Sequence, residues 1–308
     1  MPDQVPDGFS WSASRNNLFE NCPRAYFFQY YLAVNKAEDA DSDRAGRARR
    51  LKCLKTIPMW VGSHVHDAAE TLLKRARDDR DADADPAIDA MLRQMRQDYK
   101  DSKTNRAATR DPRHYARFHE HEYGQDVPDE KWKICVDEAV EMVRTFTGLG
   151  YVEQVRALAA EDLLALEDLQ RWSFESVPVW VRIDLAFRDA DETVHILDWK
   201  TGRRIREDNP LQLMGYAAYA EHAWDVVADR LAVREVYLRL EDPEKSCTID
   251  DDELERARGQ IRESVDAMIA ALADPRHNVA REEAFEALPE PRKCARCFYR
   301  GICPSSAA

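Results

Sequence analysis

The strongest constraint on this chain is one run, Thr193-Val194-His195-Ile196-Leu197, which ends on Asp198-Trp199-Lys200-Thr201. A β-branched, apolar stretch of this length reads as a strand with a buried face. Side chains alternate along a strand, so Asp198 and Lys200 share one face and Trp199 takes the other, where a tryptophan can pack. A second acid, Asp184, closes the run Trp180-Val181-Arg182-Ile183 fourteen positions upstream. On a neighbouring strand it would meet Asp198 across the pair.

Two carboxylates and a free backbone carbonyl, that of Trp199, make a hard oxygen site suited to Mg²⁺ or Mn²⁺. A divalent ion there polarises a phosphoryl oxygen and helps deprotonate water, while Lys200 orients that water or neutralises developing charge. These are the groups that metal-dependent phosphodiester cleavage uses. Asp-x-Lys alone is also a common surface ion pair worth about 0–1 kcal/mol, so its weight comes from its surroundings. Gly62-Ser63-His64-Val65-His66 opens a helix on which His66 and Glu70 share a face. A neutral imidazole near a helix start is a usable extra metal ligand; His64 reads as a packed or exposed histidine. Gln212 and Tyr216, four apart at the start of the helix after the Lys200 strand, can steady the lysine and touch a DNA backbone. The plainer reading of that pair is a half-buried amphipathic helix.

Four cysteines stand at the two ends of the chain. Cys294-x-x-Cys297 followed by Cys303 puts three soft ligands on a short loop, a spacing typical of zinc or iron–sulfur sites. Cys22 is the best candidate for a fourth ligand: it precedes Pro23 as Cys303 precedes Pro304. Spacing does not separate the two metals. Cys53, Cys135 and Cys247 read as buried or free thiols.

Length and composition set the frame. With 308 residues, 44% of them hydrophobic, and seven tryptophans, the chain can bury a proper core, and wholesale disorder is excluded. No apolar stretch approaches a membrane span. The acidic, Pro-rich start Met1-Pro2-Asp3-Gln4-Val5-Pro6-Asp7 is not a secretory signal. Seven cysteines, an odd number, fit a reducing, cytoplasmic location better than a disulfide framework. The net charge of −13 counts against a nucleic-acid binder with a basic face. Charge is clumped, however. Asp78, Asp79, Asp81, Asp83 and Asp85 share one short loop, and Arg44, Arg47, Arg49, Arg50, Lys52 and Lys55 fall together. Arg203, Arg204 and Arg206 directly follow the Asp/Lys signature; this last group is read as nucleic-acid-binding, tracking phosphates.

Along the chain, residues 12–34 read as an aromatic-rich helix, capped by Ser12 or Ser14 and perturbed or restarted at Pro23. Residues 62–77, 87–100 and 129–148 read as helices, 173–181, 182–188, 193–199 and 232–240 as strands, and 210–223 and 251–273 as helices again. The order strand–strand–strand–helix–strand predicts an α/β core with an antiparallel start and a helical crossover.

Together these pieces resemble the PD-(D/E)XK nucleases of the RecB family, in particular those with an iron–sulfur staple, such as the AddB nuclease domain and the CRISPR-associated RecB-like exonucleases. Ser12-Ala13-Ser14 through Cys22-Pro23-Arg24, Gly62…His66, Arg182-Ile183-Asp184, Asp198-Trp199-Lys200-Thr201-Gly202, Gln212…Tyr216 and the terminal cysteines look like six of that family's motifs in the family's order. Trp199 departs from the commoner tyrosine, the second metal-binding acid is Asp rather than Glu, and the segment between His66 and Asp184 is long. The resemblance implies a restriction-endonuclease-like core, a central mixed sheet flanked by helices, with a helical insertion. It implies a divalent ion, Mg²⁺ or Mn²⁺, on His66, Asp184 and Asp198, to which the residue reading adds the Trp199 carbonyl, with Lys200 catalytic beside Asp184, Asp198, Gln212 and Tyr216. It also implies a [4Fe–4S] cluster on Cys22, Cys294, Cys297 and Cys303, a structural cross-link joining the N- and C-terminal segments.

The expectation is therefore one nuclease domain over residues 1–308. Its parts are a cluster helix at 12–34, a helical region at 60–150, a nuclease core at 172–245 and a cysteine cluster at 290–304. The expected activity is metal-dependent hydrolysis of DNA, at ends or in single strands, by an exonuclease or single-strand nuclease of DNA repair, CRISPR adaptation or phage defence. Its partners would be DNA and the proteins of such a complex, with no membrane. The alternatives are a non-catalytic DNA-binding or assembly subunit that keeps the fold, and a zinc-ribbon regulator judged from the terminal cysteines alone.

Overall fold

Proline and serine divide the aromatic N-terminal stretch in two. The Ser12 side chain caps helix α1 (Ala13–Asn21) by accepting from the Arg15 amide at 3.3 Å. Cys22 is extended, and helix α2 (Pro23–Tyr30) restarts with Pro23 in its first turn. Proline lacks the N–H a helix interior needs, but a first turn leaves that donor unused. The predicted helix over 12–34 is thus two helices, with Cys22 at the break. The computed structural model describes residues 8–34, 43–106, 115–205 and 210–308, which divide between two compact units.

The first unit comprises Met1–Leu54, Arg171–Val181 and Glu255–Ala308. Its core is aromatic. Phe27 meets Phe285 at 5.6 Å and Phe28 meets Tyr299 at 5.5 Å between ring centroids. Arg24 donates to the Phe285 carbonyl at 2.8 Å and pairs with Glu282. From helix α3 (Asp43–Leu51), Arg44 pairs with the same Glu282 and donates to the Ile302 carbonyl at 2.9 Å. The N-terminal helices and the C-terminal loop of this unit are therefore already tied together by rings and charges.

The second unit comprises Lys55–Gln170 and Arg182–Leu254. After the short strand β1 (Leu54–Lys55) come α4 (Ile57–Arg77), α5 (Ala84–Lys103), the short strand β2 (Arg117–Phe118), α6 (His119–Glu122), α7 (Asp129–Gly148) and α8 (Tyr151–Ala157). Strands β3 (Leu163–Phe174), β4 (Val177–Arg188), β5 (Val194–Lys200), β6 (Leu231–Tyr237) and β7 (Glu244–Cys247) form one sheet in that order. β4 and β5 are antiparallel, with Leu185 opposite Leu197. β5 and β6 are parallel, with Asp198 opposite Glu235 and Lys200 opposite Tyr237. Helix α9 (Pro210–Trp224) makes the crossover between them, as the element order predicts. Helix α10 (Asp251–Ala270), from Glu255 onward, and helix α11 (Pro291–Cys294) belong to the first unit.

The helices cover one face of this sheet. Trp60, Leu72, Met142 and Phe146 pack in one buried cluster with Leu185, Phe187, Leu197, Trp199 and Val236. The Trp199 ring sits 5.1 Å from that of Phe146 and 5.2 Å from that of Tyr151, so the face opposite Asp198 and Lys200 is anchored in this core.

The strand boundaries differ from the expected ones. Residues 173–181 and 182–188 do not form two strands. The chain reverses at Glu175-Ser176, and β4 continues unbroken from Val177 to Arg188. β3 begins at Leu163, ten residues before any expected strand. Leu, Ala, Glu and Asp, which fill Leu163–Asp168, are poor strand markers. The turn residues Glu175 and Ser176 both have positive φ (46° and 72°). That is the geometry of a tight hairpin, usually signalled by Asn-Gly or Asp-Gly.

Candidate active site

The site is built on Glu167 within β3, Asp184 within β4 and Asp198 near the end of β5, in the second unit, with α4 brought against it. Gly62 makes that approach close: a Cβ there would stand 3.0 Å from the Thr201 hydroxyl. Glycine costs about 1 kcal/mol in a helix interior relative to alanine, and this contact accounts for its presence. One turn further, His66 reaches two acids of these strands. Its Nδ1 lies 3.1 Å from Glu167 Oε1 and 3.5 Å from Asp184 Oδ1. Ligand atoms of His66, Glu167 and Asp184 all lie within 4.8 Å of one another. Glu167 holds φ = 53° in mid-strand. A non-glycine residue in the left-handed region is strained, a feature concentrated at functional sites.

Asp198 faces the other half of the site. Its carboxylate pairs with the Lys200 ammonium. Tyr216 donates to Asp198 Oδ1 at 3.1 Å and the Gln212 amide does so at 3.2 Å. Gln212 also donates to the Tyr216 hydroxyl at 2.6 Å and accepts from Lys200 at 3.3 Å. Between the halves, Asp184 Oδ2 accepts from the buried Trp199 amide at 2.6 Å. Asp184 and Asp198 are both about 4% exposed.

The charges are tightly coupled. Burial and then the Asp198 charge push the Asp184 carboxyl up to about 7, although His66 acts against this. Burial acts to lower the His66 imidazole, but hydrogen bonds to Asp184 and Glu167 outweigh it and hold His66 up at about 11. Burial likewise opposes the Lys200 charge, while Asp198 and Glu235 raise its pKa. Two carboxylates around one imidazole, partly stripped of water, with Asp198 on the neighbouring strand, form a donor set that a hard divalent cation would complete.

His66, Asp184, Asp198, Lys200, Gln212 and Tyr216 thus fall in one contiguous network, with the Trp199 amide in it and its ring in the core. Glu70 does not join; it pairs with Lys74. His64 is a satisfied core residue, 2.8 Å from Asp98. Arg203 is engaged by Glu138 on α7, Arg204 is exposed, and Arg206 lies outside the described residues. Two acids of the network, Glu167 and Glu235, are not among the sequence candidates. Glu167 follows Ala165-Leu166 as Asp184 and Asp198 follow their own apolar runs, and that shared pattern was the available signal. Glu235 is a charge set between Val233 and Val236 in an expected strand.

In the first unit, Cys22, Cys294, Cys297 and Cys303 line one cavity of about 50 Å³, together with Arg24, Lys293 and Arg300. Burial pushes the Cys297 thiol up to about 11 and raises that of Cys303. A cation bound among such half-buried thiols would favour their ionised form.

A family model described as the PD-(D/E)XK nuclease superfamily matches residues 10–304. The chain belongs to the PD-(D/E)XK nuclease superfamily. Its members are hydrolases that act on nucleic acid with Mg²⁺ or Mn²⁺, and the mixed sheet with its His66–Glu167–Asp184 group is consistent with such a core. No curated protein matches the chain. One solved structure, "Crystal structure of SSO0001", is similar at 15% identity over 58% of this chain and 80% of that one, with a TM-score of 0.30. A likeness that low carries no argument. No helix among the described residues is long and apolar enough to cross a membrane.

Proposed function

We propose that this PD-(D/E)XK chain is a DNA nuclease acting on ends or single strands as an exonuclease or single-strand nuclease, with its cation held by His66, Glu167, Asp184, Asp198 and the Trp199 carbonyl. The observation that carries this reading is the convergence of His66, Glu167 and Asp184 within 4.8 Å, beside the strand that bears Asp198 and Lys200. A bound Mg²⁺ or Mn²⁺ would supply a Lewis acid for the phosphoryl oxygen and an activated water. The protein does the rest. His66 approaches from the helix side and the carboxylates from the strand side, so the donor set is fixed before substrate arrives. Lys200 presents an ammonium to the attacking water or to the charge that develops on phosphorus oxygens. Gln212 and Tyr216 hold the Asp198 Oδ1 from α9 and so keep that carboxylate turned toward Lys200. Arg203 and Arg204, with Arg206, would follow the phosphate backbone beyond the scissile bond.

The four cysteines would hold a [4Fe–4S] cluster in this proposal. Four thiols around one small cavity, with Arg24, Lys293 and Arg300 beside an anionic cluster, suit that group. The cluster's role would be structural, pinning residue 22 to the loop at 294–303. Residues 1–308 would serve as one nuclease domain of RecB-like, iron–sulfur type, cytoplasmic, with DNA and the proteins of a repair, CRISPR-adaptation or defence complex as partners.

The test is hydrolysis of plasmid and of 5′- and 3′-labelled single strands with Mg²⁺ or Mn²⁺, with the protein handled anaerobically. Wild-type cleavage well above that of Lys200→Ala, with one labelled end releasing mononucleotides first, is the expected result. Tight gel-shift binding with no cleavage above the Lys200→Ala control would instead establish a non-catalytic binding subunit. Iron and sulfide content with visible absorbance, against stoichiometric zinc, decides the identity of the cysteine-bound metal.

A further inference from the structure

The parallel register between β5 and β6 places a second acid against the lysine. Asp198 lies opposite Glu235 and Lys200 opposite Tyr237. Glu235 is 6% exposed, as deeply buried as the acids of the cation site. Its Oε2 accepts a hydrogen bond from the Tyr237 hydroxyl at 2.8 Å, and Tyr237 is itself 1% exposed. Its Oε1 has no hydrogen-bond partner and faces the Lys200 ammonium at 3.5 Å. Asp198 pairs with the same ammonium. A buried carboxylate is tolerated only with a cation beside it, and for Glu235 that cation is the Lys200 ammonium. It does not belong to the His66–Glu167–Asp184 group.

We propose that Glu235 is a positioning residue for Lys200. A lysine carries a compact charge on a four-carbon stem with many rotamers. Asp198 alone would hold it, but that carboxylate is also shared with Gln212 and Tyr216 and is wanted by the cation. When a divalent ion draws on Asp198, Glu235 keeps the ammonium in place. Tyr237 in turn fixes the Glu235 rotamer by occupying its other oxygen. Glu235 touches neither substrate nor cation in this arrangement; it acts through the lysine. The inference rests on the nuclease reading for its kinetic consequence, but not for its structural one.

Glu235→Gln keeps the shape and removes the charge. In single-turnover cleavage with saturating Mn²⁺, the rate falls about 10- to 100-fold, the penalty for a reacting group left about 1 Å out of place. Affinity for DNA measured with Ca²⁺, the Mn²⁺ concentration at half-maximal rate, and Tm stay near wild type. Tyr237→Phe shows a smaller loss in the same direction. In a Lys200→Ala background the Glu235→Gln change causes no further loss, because its route is gone. A second readout needs no activity. In metal-free protein labelled with ¹⁵N-lysine, the Lys200 ammonium resonance, assigned by its disappearance in Lys200→Ala, shifts or broadens in Glu235→Gln. Wild-type cleavage by Glu235→Gln overturns the proposal, as does an equal loss in the Lys200→Ala background or an unmoved ammonium resonance. If wild-type protein fails to cleave above Lys200→Ala, the nuclease reading falls, and the resonance alone then decides whether Glu235 holds the lysine.

Discussion

The Asp184 carboxylate stands in for a strand partner of Trp199. Backbone pairing of β4 with β5 runs to Leu185 opposite Leu197. Beyond it, the Trp199 amide donates to Asp184 Oδ2 at 2.6 Å, while Oδ1 faces His66 at 3.5 Å. One oxygen satisfies a buried N–H and the other is left for the cation site. Structural and functional demands on this residue are therefore separable by substitution.

Asp184→Asn keeps an acceptor for the Trp199 amide, whereas Asp184→Ala leaves it unpaired. Both should abolish cleavage and cation binding. Only the alanine variant should also lose about 1–3 kcal/mol of stability, the cost of an orphaned buried donor. Urea denaturation of the metal-free proteins measures the difference. Equal stability of the two variants would contradict the dual role.

Glu167→Gln should weaken Mn²⁺ binding about 10- to 100-fold, the usual effect of losing a group that holds or orients a metal ligand, while leaving the melting temperature unchanged or higher. Isothermal titration gives the affinity directly. Unchanged Mn²⁺ affinity would remove Glu167 from the donor set.

The metal-free fold should lose stability as pH rises from about 4 toward 11. Asp184 is held up at about 7 and His66 at about 11 in the folded protein. Unfolded, they would release their protons near 4 and 6.5. Both groups thus bind more protons folded than unfolded, and stability falls with rising pH by at most about 1.4 kcal/mol per unit for each. The Asp184 contribution is lost through pH 7; that of His66 is lost as pH climbs toward 11. Melting in EDTA between pH 6 and 9 should show the decline, and added Mn²⁺ should flatten it. A melting temperature in EDTA that holds level or climbs over that range would refute the assignment.

Cys297→Ser should lower iron and sulfide content, remove visible absorbance and destabilise the protein by about 2–5 kcal/mol, the range seen when a native cross-link is removed. Because the role proposed is structural, oxidation of the cluster should lower melting temperature and cleavage together. A change in cleavage rate at constant melting temperature would mean a redox role.

Ser176→Gly should stabilise the fold by about 0.5–1 kcal/mol, since glycine adopts the positive φ of this hairpin turn without steric strain. Thermal melts at fixed pH suffice. A destabilised glycine variant would show that the Ser176 side chain has a compensating contact.

Sequence alone determined which residues could do chemistry and in what order they occur. The Asp198-Trp199-Lys200 alternation dictated two faces, and the structure places the Trp199 ring in the helical core and Asp198 with Lys200 on the side of Gln212 and Tyr216. Pro23 dictated the break that leaves Cys22 outside a helix. The helical crossover followed from the spacing between the Lys200 strand and the next one. These features are legible because they depend on local rules: side-chain periodicity, proline's missing donor, the length of a connection.

Only the tertiary structure decided what those rules leave open. It placed the hairpin at Glu175-Ser176, where two ordinary residues adopt a conformation that no turn signal announces. It recruited Glu167 from a stretch that reads as no element, and Glu235 through a parallel register that sequence spacing cannot specify. Register depends on how two buried faces fit across a sheet, and a carboxylate becomes a ligand or a positioning group only when distant segments remove water from around it together. Those are properties of packing between residues far apart in the chain.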